Sequence, residues 1–230
     1  MHSFVVSKDN LVKAAAGKKG AIARNALYGN PGTRLGRGKG GAHSVRVNQD
    51  LDNNFKKLKI VKEQKLSEEL AEFLGIMLGD GQLAKNQFII TLHAAEREYY
   101  EYVSKLIELL FEDSPSKYSR RNIIELCLSG KGYIVELVRL GLQVGNKVAN
   151  GVSLPGWTVT HTQYCKAVLR GLFDTDGSVY LDKHTVKNRE YHSIYAEFTS
   201  HSKPLLQDIY VNLQQLGFSP TRSSKWRIIL

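Results

Sequence analysis

The strongest constraint in this 230-residue chain is a pair of matched stretches, Phe73-Leu74-Gly75-Ile76-Met77-Leu78-Gly79-Asp80-Gly81 and Leu169-Arg170-Gly171-Leu172-Phe173-Asp174-Thr175-Asp176-Gly177. Each ends an apolar helical pattern with Asp-Gly. A glycine inside a helix costs about 1 kcal/mol relative to alanine, so Gly75 and Gly171 at equivalent places need a reason. Close approach of two helix backbones supplies it. Gly75 and Gly79 are four residues apart, as are Gly171 and Thr175, so each helix carries a notch of small residues along one face. Docking at these notches brings the carboxyl-terminal ends together and makes Asp80 and Asp176 converge. Two buried carboxylates that close repel each other and take up a proton unless a cation lies between them. Hard oxygen ligands at a helix end suit Mg²⁺ or another divalent cation, which activates water and stabilises the leaving oxygen in phosphodiester hydrolysis. A single Asp-Gly is ordinarily just a helix-ending turn; two in matching repeats point to a shared site.

The surrounding elements repeat as well. Ser67 is placed to cap a first helix, with Glu68 and Glu69 in the turn where the helix dipole favours acids. A strand at Gln87–Leu92, an amphipathic helix at Glu96–Phe111, a hairpin over Ser116–Ser129 and a helix over Gly132–Leu142 follow. After a linker through Asn146, Asn150, Pro155 and Gly156 the order begins again: a helix at Thr162–Phe173, strands at Ser178–Lys187 and Tyr191–Ser200, and a helix at Pro204–Leu216. Ser219-Pro220 then echoes Ser114-Pro115 ahead of another basic strand. A duplicated unit of this kind predicts a pseudo-twofold assembly with one site at the shared seam.

Charge is unevenly distributed. Residues 1–65 hold 14 Lys/Arg against 4 Asp/Glu, whereas residues 66–230 hold 18 against 18, so the net charge of +10 belongs to the first segment. A basic arm of this kind predicts a polyanionic partner, with Arg34, Arg37 and Lys39 as phosphate contacts. Lys8–Tyr28 has the makings of a helix weakened by Gly17 and Gly20, and the glycine-rich stretch 29–41 is expected to be a loop. Its GxGxxG spelling at Gly36, Gly38 and Gly41 follows no apolar strand, and Thr33 stands where a Walker loop needs glycine, so neither nucleotide motif holds. Asp174-Thr175-Asp176-Gly177 is not an EF-hand, because Leu172 and Lys183 would fill its first and twelfth ligand positions. Cys127 and Cys165 form no CxxC pair and are expected to be reduced core thiols. His93, His161, His184, His192 and His201 lack metal-ligand spacing and are assigned to the surface or the DNA-facing side. With no leader and no apolar run near the roughly 18 residues that cross a bilayer, a cytoplasmic, nucleoid-associated or organellar protein without a membrane partner is expected.

The two glycine-notched stretches resemble the paired motifs of the LAGLIDADG homing endonuclease family. The likeness covers residues 66–230 and is most specific in the Pro155-Gly156-Trp157 lead-in and the run from Lys166 to Ser178. It implies an α+β fold: two αββαββα repeats, at 66–150 and 151–230, forming a saddle of antiparallel sheets that binds DNA. A basic arm, 1–65, precedes them. The resemblance places the acidic metal ligands on Asp80 and Asp176 and adds the backbone carbonyls of Gly79 and Thr175. The first motif departs from the pattern in having Leu78 where Asp174 keeps an acid. The family also sets a basic or amide side chain beside the metals, and Lys131 is the match offered for it. The sequence given stops at Leu230, before any counterpart of the first repeat's final helix, so the last strand is expected to lack a covering helix and a partner.

In such a saddle the sheets lie along the major groove. The strand and turn residues assigned to DNA are Lys85, Gln87, Lys117, Arg120, Arg121, Lys183, Lys187, Arg189, Arg222, Lys225 and Arg227. Two unlike repeats imply one asymmetric monomer making a metal-dependent double-strand cut in a long asymmetric site. The alternative is a non-cleaving protein of the same fold: a maturase that binds intron RNA, a DNA-binding regulator or a decayed endonuclease. An intein is not expected, because the chain starts at Met1 and ends in Ile-Ile-Leu.

Overall fold

Ser67 opens the first long helix, its hydroxyl accepting from Leu70 N at 3.2 Å in the N-cap geometry its sequence position predicts. This helix, α1 (Glu68–Gly79), is buried from Leu70 to Leu78, so it lies at the centre of the core rather than on its surface. The computed structural model describes residues 61–187 and 189–230, together with 19–27, 32–35, 37–39, 42–43 and 46. The chain divides into two compact units, Met1–Lys57 and Leu58–Leu230.

In the second unit the strands β1 (Gly81–Leu83) and β2 (Gln87–His93) lead to helix α2 (Arg97–Phe111), the hairpin β3 (Ser116–Arg120) and β4 (Ile123–Ser129), and helix α3 (Lys131–Arg139). A short helix α4 (Lys147–Asn150) and a 3-10 turn (Gly156–Val159) bridge to α5 (Thr162–Asp176). The pattern then repeats with β5 (Gly177–Val186), β6 (Arg189–Thr199), α6 (Lys203–Gln215), β7 (Thr221–Ser224) and β8 (Arg227–Ile229). The two antiparallel sheets have matching orders, β1-β2-β4-β3 and β5-β6-β8-β7, as the duplicated sequence predicts.

Alternation decides which face of each sheet is buried. Phe88, Ile90 and Leu92 of β2 enter the core, where Phe88 meets Phe73, Phe111 and Tyr133 in a cluster of ring pairs 5.4 to 6.3 Å apart. Phe198 of β6 does the same against Phe173 at 5.0 Å. The linker is bound to both repeats. Trp157 Nε1 donates to Leu140 O at 3.0 Å, and Leu154 N donates to Asp208 Oδ2 at 2.9 Å.

The α1–α5 contact shows why each motif carries a mid-helix glycine. A methyl at Gly75 would overlap the carbonyl oxygen of Val168 and stand 2.8 Å from Leu172 N; one at Gly171 would overlap Glu72 O and stand 3.1 Å from Ile76 N. Backbone meets backbone at both crossings. One turn on, Gly79 faces Thr175, whose Cβ a methyl at Gly79 would approach to 2.7 Å.

Some expectations need correction. The last strand does not lack a partner, since β8 pairs with β6 on one side and β7 on the other. At 29–41, where a loop is expected, the described residues 34–35 and 37–39 are helical. There Arg37 N donates to Thr33 O at 3.0 Å and the Arg37 side chain to Gly32 O at 3.1 Å; the non-glycine residues Arg34, Leu35, Arg37 and Lys39 suffice for a turn of helix. Within 8–28 the described residues 19–27 are helical; apart from Gly32 and Thr33, which form a turn ahead of the helical residues, the rest of both stretches lies outside the described residues. Strand β1, of three residues, is too short to leave a period in the sequence. Among the described residues, no helix is long and apolar enough to cross a membrane.

Since neither helix can retreat without losing the other crossing, Gly75→Ala and Gly171→Ala should each lower the free energy of unfolding by about 2–3 kcal/mol. Urea denaturation checks this, and the double variant should lose less than the sum because the two positions share one interface.

Candidate active site at the helix seam

Beyond the glycine crossing, α1 ends at Asp80 and α5 at Asp176. A methyl on Gly79 would stand 3.5 Å from Asp176 Cγ, so the second carboxyl lies against the residue that precedes the first. Asp80 N still donates to Ile76 O at 3.0 Å, and Gly177 N closes α5 on Phe173 O, so regular helix carries both carboxyls up to the site. Burial, and then the neighbouring Asp176, push the Asp80 carboxyl up to about 6; burial also raises Asp176. This is the signature of acids held together in a partly dry place.

The cation that faces them is Lys147. Its Nζ donates to Leu78 O at 2.8 Å, to Met77 O at 3.5 Å and to Gly79 O. Burial pulls the ammonium below the ordinary lysine range, while Asp176 and Asp80 oppose that shift. Lys147 is set by a short relay. Gly145, at φ +104°, donates its N–H to Leu83 O at 3.0 Å, and Asn146 Oδ1 caps α4 by accepting from Ala149 N at 2.9 Å. Lys131, the lysine the sequence offers for this place, is instead exposed at the start of α3. No motif marks Lys147, because the α3–α4 turn brings it in from some 70 residues away in sequence.

On the α2 side of the helix pair lies a second polar group. Glu72, buried on α1, pairs with Arg170 on α5 and accepts from Tyr102 Oη at 2.7 Å. Burial and that hydrogen bond push the Tyr102 hydroxyl up to about 12. Burial, then Glu72, raises Asp174, with Arg170 acting against them. The Tyr99 hydroxyl, also raised by burial and by Asp174, Asp80 and Glu72, is buried and has no hydrogen-bond partner among the described residues. The motif equivalents of Glu72, Arg170 and Asp174 are Val168, Leu74 and Leu78, so this group exists on one side only. Among the described residues no three His, Cys, Asp or Glu side chains converge. The groups at the seam that could hold a divalent ion are Asp80, Asp176 and the adjoining carbonyls, of which Gly79 O already accepts from Lys147 and Thr175 lies beside Gly79. Hard oxygen donors with raised carboxyl pKa values fit such an ion.

The sheets present two different faces, and this separates the basic residues. Arg120 pairs with Ile123 and shares with Tyr118 the face away from the core, and Arg189 and Arg227 occupy the equivalent face of the second sheet. Gln87 lies on the outer face of β2, accepting from Ser129 Oγ at 3.4 Å. Lys85, Arg121, Lys187 and Lys225 sit in the turns. Lys117 and Arg222 do not face outward. They pair with the buried Leu126 and Ile228, and their cations lie over the rings of Tyr100 at 3.8 Å and Tyr210 at 5.1 Å on the neighbouring helices. Lys183, opposite His192, falls on the same side of its strand as Phe198, toward the helices. Treating every strand lysine and arginine alike misses this alternation. Arg34, Arg37 and Lys39 are exposed within the first unit. Of the histidines, His184 stacks on Tyr191 and faces Asp182 Oδ2 at 3.0 Å, and His201 lies by Trp226.

Comparison with known proteins agrees with this geometry. Residues 163–228 match the family model of the LAGLIDADG-like domain. The replication factor C small subunit of Methanocaldococcus jannaschii is 28% identical over 160 residues, which span 69% of this chain and only 8% of that protein. Among solved structures, I-DmoI in complex with DNA and Ca superposes with a TM-score of 0.50 at 16% identity, covering 70% of this chain and 81% of that one. A point mutant of I-SmaMI gives a TM-score of 0.46 at 10% identity over 73% of this chain and 78% of that one. The two-sheet architecture is the LAGLIDADG fold.

Because the folded-state pKa of Asp80 is raised, its protonation favours the folded, metal-free chain. That contribution is complete below the ordinary value of 3.8 and is lost as pH rises through about 6. Glu69 and Glu136, held below the ordinary 4.5, act in the opposite sense only at lower pH, so the window from 5 to 7 isolates the raised acids. In EDTA the protein should unfold at higher temperature at pH 5 than at pH 7.5, a gain of roughly 1–2 kcal/mol after solvent screening. Asp80→Asn should flatten that dependence in thermal melts.

Proposed function

We propose that this chain is a site-specific DNA endonuclease that cuts both strands of a long asymmetric target in a divalent-metal-dependent reaction. The observation that carries this reading is the delivery of two carboxylates, one from each repeat, to a single place at the seam between two antiparallel sheets. I-DmoI, whose fold this chain shares, is seen with DNA and Ca, which supports DNA as the ligand and a divalent cation, Mg²⁺ in the cell, as the cofactor.

Asp80 and Asp176 would hold the cation together with the Gly79 and Thr175 carbonyls. When bound, it supplies an activated water and neutralises the charge that develops on the leaving oxygen. The protein's own residues do the rest. Each carboxylate is fixed by its helix end, so neither has to be ordered at the moment of reaction. Lys147 places a positive charge beside the phosphate position and offsets the excess charge of the two acids. Arg120, Arg189 and Arg227 on the outer sheet faces, with Lys85, Arg121, Lys187 and Lys225 at the turns, would contact phosphates and base edges. Arg34, Arg37 and Lys39 of the arm would add sequence-independent attraction. Because the repeats differ, one chain suffices for one asymmetric site.

One observation favours the non-cleaving alternative, a DNA- or intron RNA-binding protein of the same fold: Lys147 already takes the Gly79 carbonyl. Incubation with a randomised duplex library and Mg²⁺, followed by sequencing of the ends produced, separates the two readings. Asp80→Asn and Asp176→Asn should each reduce cutting by roughly a hundredfold or more while duplex binding persists. Cutting that survives both changes would exclude the site.

The sheet geometry gives a further test. Arg120→Ala and Arg189→Ala should each weaken duplex binding and reduce the salt dependence by about one phosphate contact. Lys117→Ala and Arg222→Ala, which remove helix-facing cations, should leave that slope unchanged in fluorescence-anisotropy titrations.

A further inference from the structure

The last carbonyls of a helix have no partner within it and carry the negative end of its dipole. In α1 the carbonyls of Met77, Leu78 and Gly79 all receive the Lys147 ammonium, and the charges of Asp176 and Asp80 act on it as well. The arrangement is single. α5 closes with Gly177 N on Phe173 O, and among the described residues no lysine bonds its last carbonyls. The ammonium thus bonds the Gly79 carbonyl that the proposed function gives to a divalent ion, with both carboxylates near enough to act on its charge.

We infer that Lys147 is an internal counter-cation which a divalent ion must displace from the Gly79 carbonyl in order to bind. The inference rests on the proposed metal site and adds to it that the chain keeps this site neutralised without metal. Two consequences follow from charge balance. The metal-free protein folds without the mutual repulsion of Asp80 and Asp176 at full strength. Metal affinity is reduced by the work of moving the ammonium off the Gly79 carbonyl, so the ligand set alone would bind more tightly than the native protein does.

The test is Mn²⁺ titration of the full chain, with free Mn²⁺ followed by electron paramagnetic resonance, on wild type, Lys147→Met, Lys147→Gln and the double variant Lys147→Met/Asp80→Asn. Lys147→Met should bind Mn²⁺ at least tenfold more tightly than wild type, and its unfolding temperature should rise with Mn²⁺ where that of wild type hardly changes. The added Asp80→Asn change should abolish the gain. Should Lys147→Met fail to fold without metal, Lys147→Gln, which keeps an amide donor for the carbonyls but not the charge, carries the same comparison. Binding by the variants that equals or falls below that of wild type overturns the inference. If wild type cuts DNA only with Mn²⁺ and the variants bind no tighter, the endonuclease reading stands and only the inference falls. If neither wild type nor the variants retain Mn²⁺, the metal site itself fails and takes the inference with it.

Discussion

The contact of two helix backbones at Gly75 and Gly171 is the constraint on which the rest of this structure depends. With Val168 O and Glu72 O set where methyl groups would otherwise stand, α1 and α5 can meet along one line only. That line fixes how far each helix reaches, and so where Asp80 and Asp176 come to lie. It also sets the start of each sheet, since β1 and β5 begin at Gly81 and Gly177, directly after the two acids. A pairing of this closeness leaves no room for side chains between the helices. The apolar residues of α1 therefore turn outward to the sheets and to α2, which is why the helix is buried on nearly every side.

Electrostatics divides what the backbone makes symmetric. One flank of the helix pair carries Lys147, bound to the end of α1 alone. The other carries the linked set Arg170, Glu72 and Tyr102, with Asp174 and the buried Tyr99 hydroxyl beside it. A buried hydroxyl without a partner costs free energy, and Tyr99 has none among the described residues. The two acids consequently meet different surroundings although they end equivalent helices.

Much of this was legible in the sequence because it depends on local rules. The mid-helix glycines announced the close crossing, the Ser67 cap marked the start of α1, and the recurrence of helix, strands and helix gave the matching sheet orders. The parts that could not be read locally depend on distance or on alternation. Lys147 reaches the carboxylates only through a turn held by Gly145 and Asn146, and no pattern in its own neighbourhood distinguishes it from Lys131. Lys117, Lys183 and Arg222 have the composition of groove-facing residues, but strand register puts them on the helix side, where two of them cover tyrosine rings. Charge and residue type were visible in the sequence; the side of the sheet was not, because a shift of one residue reverses it.

The glycine crossing also limits motion. Sliding α1 along α5 by one residue would bring a side chain onto a carbonyl oxygen, and tilting would part Gly79 from Thr175. The two sheets are thereby mounted on a joint with no slack, and their separation becomes a fixed ruler rather than an adjustable clamp. Under the proposed endonuclease reading, a duplex with an added or missing base pair between its two halves would meet a protein unable to stretch or shrink to suit it. Discrimination against targets of the wrong length would then arise from the rigidity of the frame, independently of any contact with a base.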